Sequence, residues 1–139
     1  KTYTSLMAMQ SAIFSDFIPD FEAIRDELHS IAVDSNGWLD PSDLEGCCAI
    51  GAKMVYEWLT SQGISTQIVH NENHFWCRAA GYTIDLTATQ FRLDAIYIRP
   101  VGEESKHSCY QSPVVVDNFT EEYFGALNWP DEQNPWTYI

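Results

Sequence analysis

Apolar side chains recur at helical spacing up to Gly63 and at alternate positions after it. Leu6, Met7, Ile13, Phe14 and Phe17 lie near helical spacing before Pro19 interrupts the run, so the N-terminal third, through Ala32, reads as helical. From about Asp20, the residues Phe21, Ile24, Leu28 and Ile31 follow at a 3-4-3 spacing and form one apolar stripe. The cluster Asp34-Ser35-Asn36-Gly37 predicts a turn. A third helix is the best defined. Counting from Cys48, the residues Ala52, Val55 and Leu59 stand at offsets of 4, 7 and 11, with Ile50, Met54 and Trp58 on the flank. Gly63, four residues past Leu59, predicts its end.

Beyond Gly63 the period becomes two. Strands are expected at 64–69, 74–79 and 82–87, a fourth begins at 95–98 before Pro100, and Val114-Val115-Val116 fits a last one. Trp129, Pro130, Pro135, Trp136 and Tyr138 read as an extended segment laid on the surface. The expected class is α+β, with N-terminal helices packed on an antiparallel sheet. At 139 residues the chain reads as one domain, with 1–33 a helical part and 100–139 an aromatic, acidic extension.

Ala80-Gly81 fits a two-residue hairpin between the second and third strands. That register pairs Ala79 with Tyr82, Cys77 with Ile84, Trp76 with Asp85 and His74 with Thr87. Alternation then puts His74, Trp76, Asp85 and Thr87 on one face and Phe75, Cys77, Ile84 and Leu86 on the other. His74 and Asp85 become diagonal neighbours roughly 7–8 Å apart at the backbone, within reach of a side-chain hydrogen bond. If the third helix starts against that face, Cys48 meets His74. A thiol at a helix start, an imidazole and a carboxylate are the parts of an activated cysteine nucleophile. The Cys48 N–H would serve as an oxyanion donor.

Composition narrows the function. Apolar residues make up 45% of the chain and aromatics 14%, which fits a dense core or an aromatic-walled groove. With 20 acidic against 7 basic residues the net charge is −13, which repels nucleic acid and anionic membranes and suits a basic target. No apolar run approaches the roughly 18 residues of a membrane span. The cysteines at 47, 48, 77 and 109 suggest no disulfide framework, so reduced thiols and a cytoplasmic setting are expected, which also fits an effector acting in a host cell. The chain opens at Lys1, as a processed or trimmed chain does.

Gly46-Cys47-Cys48, with Gly63-Ile64 fifteen residues on, resembles the G-x-C helix of transglutaminase-like proteins, a spacing shared by arylamine N-acetyltransferases. His74-Phe75-Trp76 resembles their H-x-W strand and Ile84-Asp85-Leu86-Thr87 their D-x-T strand, while Ala88-Thr89-Gln90-Phe91 is similar to small bacterial and phage members. The resemblance spans residues 46–91. It implies a papain-like core and acyl chemistry on a protein or peptide amide (protease, glutamine deamidase or transglutaminase), without cofactor or metal. Cys48 would be nucleophile, His74 general base then acid, and Asp85 its orienter. Papain-type enzymes carry an oxyanion Gln about six residues before the Cys. Here that residue is Ser42, so Gln90 or a second backbone N–H would have to serve as the donor, with Trp76 and Cys47 assigned to the groove.

Rival readings exist for each part. Cys47 is the alternative nucleophile and His70 the alternative base. His107-Ser108-Cys109 could join the cysteine pair at a metal, but no zinc-type spacing supports it. The missing Gln leaves a second reading open: a catalytically silent binding module of the same fold.

Overall fold

In a computed structural model, residues 14–116 are described, apart from Asn36, Trp38 and the side chain of Ser105. The expectations for residues 1–13 and for the 117–139 segment lie outside the described residues. Helix α1 covers Ile18–Asp34. As the sequence predicts, one helical stretch, at 14–16, stops at Phe17 and a new helix follows; Pro19 sits in the first turn of α1, where its missing N–H costs no hydrogen bond. The stripe residues Phe21, Leu28 and Ile31 are buried.

Helix α2 is Cys48–Ser61, with Cys47 as its N-cap. It ends as the sequence predicts. Gly63 takes a φ of +79°, and Gly63 N–H and Ile64 N–H donate back to Thr60 O and Leu59 O.

The strands are β1 (Thr66–His70), β2 (Phe75–Ala79), β3 (Tyr82–Asp85), β4 (Tyr97–Pro100) and β5 (Val114–Val115). They form one antiparallel sheet in the order β4-β3-β2-β1-β5. Pro100 closes β4 rather than following it, on an outer strand where its missing N–H does no harm. The hairpin register is the expected one: Cys77 faces Ile84 and Ala79 faces Tyr82. Ala80 (φ 52°) and Gly81 (φ 84°) both take positive φ, as a two-residue type I′ turn requires.

Both sheet faces are covered. Ala49, Ala52, Val55 and Leu59 of α2 pack against Ile68, Phe75, Cys77, Ile84 and Leu86. The other face carries Val69, Trp76 and Tyr97, covered by Ala88 and Tyr110 from short 3-10 turns at Ala88–Phe91 and Ser108–Tyr110. A partly buried ion pair, Arg78 to Glu104 at 3.2 Å, ties β2 to the turn Glu104–Lys106. The fold is α+β, as expected. One placement is corrected: α2 lies on the Phe75 face, not on the face of Trp76, which is already covered by Ala88 and Tyr110, and the start of α2 alone reaches the cleft that His74 lines.

Candidate functional site

The centre of the site is a buried imidazole–carboxylate pair. His74 lies immediately before β2 and Asp85 ends β3, and His74 Nε2 stands 2.6 Å from Asp85 Oδ2. The two residues are only 1% and 3% exposed. Asp85 is held from every side. Tyr110 Oη donates to Oδ2 at 2.7 Å, while Thr87 N–H (2.8 Å) and Thr87 Oγ1 (3.1 Å) donate to Oδ1. Arg25 of α1 reaches across to donate to Leu86 O at 2.6 Å and Ala95 O at 3.1 Å, fixing the backbone next to Asp85.

The imidazole is fixed as tightly. Its ring stacks on Trp76 (centroids 5.7 Å, 19°) and meets Phe91 and Tyr110 edge-on. Its backbone is set by Asn71. Asn71 Oδ1 accepts from Asn73 N–H and His74 N–H, and Asn71 Nδ2 donates to Cys109 O and Gln111 O, all at 2.9 Å. The β1–β2 turn is thereby tied to the segment that carries Tyr110.

Nδ1, the second ring nitrogen, is buried and has no hydrogen-bond partner of good geometry. His74 and Cys48 line the same open cleft of about 600 Å³, together with Gly46, Ala49 and Gln90. Cys48 is the first residue of α2 and half-buried, and Cys47 offers no side-chain cap to that helix end. The helix start therefore presents uncapped backbone N–H groups and the positive end of its dipole beside the thiol.

Electrostatics follow the geometry. Burial alone would lower the His74 pKa, but the Asp85 charge and hydrogen bond, with a smaller contribution from the Cys48 side chain, push it up to about 10. Burial works against ionised Asp85, yet His74, Tyr110 and the Thr87 amide hold its carboxyl below the usual range. Tyr110 is displaced upward by burial and by the same carboxylate. Folding thus lifts His74 above its ordinary value of about 6.5, so the stability this group contributes is complete below that pH and is lost as pH rises toward about 10. The Asp85 contribution is lost in the opposite direction, as pH falls below the ordinary carboxylate range. Thermal midpoints measured between about pH 6.5 and 8 are expected to decline in the wild type and to decline less in His74→Gln.

The remaining expected site residues separate. Gln90 lines the cleft, but its amide nitrogen donates to Thr87 O (3.0 Å) and Thr87 Oγ1 (3.2 Å), so its N–H groups are engaged rather than turned to a reacting oxygen. Trp76 is no groove wall: it is 1% exposed and serves as the platform beneath His74. Cys47 also leaves the groove. It is fully buried with Leu28, Leu39, Leu44 and Ile50, and burial pushes its thiol up to about 12, followed by the charges of Cys48, Asp43 and Asp40. Its place is in the core because the N-cap position turns it one step away from Cys48. His70 stacks on Phe75 (5.0 Å) and lines a different cleft, away from Cys48. His107 and Cys109 sit beside Phe91 and Leu93, far along the chain from the cysteine pair and in yet another hollow.

Three positioning residues escape sequence reasoning: Arg25, whose role rests on contacts 61 and 70 positions away, Tyr110 and Asn71. Tyr110 lies 25 positions after Asp85 in a short turn with no periodicity. Asn71 reads as one member of a polar turn; only its sequence position next to His74 hints at its part.

One more contact sets the spacing of the site. A Cβ placed on Gly51 of α2 would come within 3.1 Å of Thr87 Cγ2 and 3.2 Å of Leu28 Cδ1. The absent side chain lets α2 approach the Asp85–Thr87 segment closely.

These features together define a folded unit in which a helix-start cysteine and a carboxylate-held histidine share one cleft. A family profile described as YunG protein matches residues 24–124, so the chain belongs to the YunG family. That match overturns the transglutaminase-like membership implied by the motifs at 46–91, since it takes in most of α1, all of α2, the whole sheet and the Tyr110 segment as one family unit. No curated protein and no solved structure matches the chain.

Proposed function

We propose that the chain is a cysteine-dependent amide hydrolase or acyl transferase acting on a protein or peptide, with Cys48 as nucleophile, His74 as proton carrier and Asp85 as its orienting carboxylate. The observation that carries this reading is the unpartnered Nδ1 of a buried, Asp85-held imidazole in the cleft that Cys48 also lines. Asp85 holds Nε2, which leaves Nδ1 as the nitrogen for exchange with the thiol. An imidazolium beside a thiol is the setting in which the nucleophilic thiolate is populated.

In the proposed reaction Cys48 Sγ attacks the amide carbonyl carbon, and the oxygen takes the developing charge. The backbone N–H groups of the first turn of α2 are the donors for that oxygen. As the C–N bond breaks, His74 gives its proton to the leaving nitrogen. Water, or a second amine, then attacks the thioester while His74 takes a proton from it, and Cys48 leaves as the thiolate, restoring the starting thiolate–imidazolium pair. Asp85 stays ionised throughout and stabilises the imidazolium. A helix-start cysteine on an antiparallel sheet that supplies His and then Asp is also the layout of a papain-like core. We carry that layout over as a way of working and not as kinship. All four cysteines are free, which fits action in a reducing compartment such as the cytoplasm. Among the described residues no helix is long and apolar enough to cross a membrane.

A second reading, a binding module without turnover, draws on one observation: both Gln90 donors are spent on Thr87, so the residue expected to replace the missing oxyanion Gln is engaged elsewhere. Iodoacetamide labelling mapped by mass spectrometry across pH separates the two. The enzyme reading expects Cys48 to label rapidly near pH 6, slowed at least about tenfold by His74→Ala. Labelling of Cys48 only above about pH 8, indifferent to His74, would sink it.

A further inference from the structure

The sheet register sets three side chains in one row. His70 of β1 stands opposite Phe75 of β2 and opposite Val114 of β5. Phe75, His70 and Val114 therefore follow one another across three neighbouring strands on one face of the sheet. At its inner end the row is closed up, with the His70 ring stacked on Phe75 at 5.0 Å and 15°. It then rises toward solvent: Phe75 is 9% exposed, His70 is half-buried, and Val114, on the outer strand, is 58% exposed.

The row joins two hollows. Phe75 lines the Cys48 cleft, while His70 and Val114 line a second cleft of about 520 Å³. The two adjoin, because Glu72 and Asn73 of the β1–β2 turn line both. The second cleft is also braced. Asn71 Nδ2 donates to Cys109 O and Gln111 O, which ties the turn on one side to the Gln111-Ser112 wall on the other. A valine left open inside such a preformed hollow is apolar surface for a ligand to cover.

We propose that this second cleft is a subsite of the Cys48 cleft, taking an apolar side chain of an extended peptide about three residues from the group that Cys48 attacks. The assignment rests on the nucleophile reading given above and adds the substrate class. Reach fixes the spacing: neighbouring strands lie about 4.8 Å apart, so the row from Phe75 to Val114 spans about 10 Å, which an extended chain covers in about three residues. Ser108, Gln111 and Ser112 supply neutral hydrogen-bonding groups beside the row for the peptide backbone. Selection comes from covering Val114 and the edge of His70, not from charge.

Capped glycine–serine peptides with a chloroacetamide on a central diaminopropionate side chain test it, because they alkylate a thiol without requiring turnover. A single leucine is moved stepwise away from the centre in either direction, and adducts at Cys48 are quantified by mass spectrometry. The rate is expected to peak at least about fivefold above the leucine-free peptide when leucine lies about three residues away on one side. Salt at about 0.5 M, which screens charge and leaves apolar burial intact, should preserve that peak. Val114→Ser should abolish the peak while iodoacetamide labelling of Cys48 stays unchanged.

A flat series in the wild type, with His74-dependent iodoacetamide labelling intact, overturns the subsite and leaves the nucleophile reading standing. Loss of that dependence removes both. A peak that persists in Val114→Ser also overturns the proposal, since the row would not be the recognising surface. So would a peak that disappears in salt, which would make the selection electrostatic.

Discussion

Asp85→Asn is expected to destabilise the protein by about 3–5 kcal/mol and to slow Cys48 alkylation near pH 6 by at least about tenfold. The substitution is nearly isosteric, so packing around position 85 is preserved and the effect is electrostatic. What is removed is the counter-charge of an imidazole that is 1% exposed. Burial, which already works against protonated His74, would then prevail, and the ring would be neutral at pH values where it is now charged. An amide also offers an N–H where Asp85 now only accepts, so Tyr110 Oη or Thr87 would face a donor. Denaturant midpoints give the stability change and mapped alkylation against pH gives the chemical one. Tyr110→Phe removes one of the hydrogen bonds to the carboxylate and should cost less, about 1.5–3 kcal/mol. An Asp85→Asn protein whose alkylation profile overlays the wild type would show that Asp85 braces the sheet and does not tune His74.

Trp76→Ala is expected to cost about 3–5 kcal/mol, the range for deleting a large buried aromatic. Trp76 is 1% exposed and packs among Val69, Ala88, Tyr97 and Tyr110. Its ring stacks on His74 and meets Tyr110 edge-on at 5.2 Å, so the cavity would open directly beneath the imidazole and beside the tyrosine that holds Asp85. Trp76→Phe keeps an aromatic platform and should recover most of the stability. Thermal melts of the two variants check this. If Trp76→Ala melted close to the wild type, Trp76 would not be the support of the site.

Much of this arrangement was legible in the sequence because it is local. Parity across a two-residue turn places Asp85 near His74 from the short strands that flank it, and the Ala80-Gly81 pair carries its own backbone signal. The start and end of α2 were readable for the same reason: an apolar stripe from Cys48 and a glycine at its end. Papain-like or transglutaminase-like membership was read from three short motifs, and short motifs do not carry kinship; a match spanning 24–124 does. The side of the sheet chosen by α2 was misjudged because a register says which residues share a face, not what covers it. Tyr110, Asn71 and Arg25 were invisible for a different reason. Each acts through one or two long-range hydrogen bonds, at sequence separations of 25 for Tyr110, 38 and 40 for Asn71, and 61 and 70 for Arg25, and such isolated contacts leave no period to detect.

Gly51 gives position 51 an engineering meaning. Alanine there would favour the helix by up to about 1 kcal/mol, the usual gain over glycine in a helix interior. The same methyl would press on Thr87, whose amide and hydroxyl both hold Asp85. A choice made for stability at that residue would therefore be felt as a shift in the thiol-to-carboxylate geometry. Selection for a more robust chain and selection for a working cleft pull in opposite directions at this one glycine.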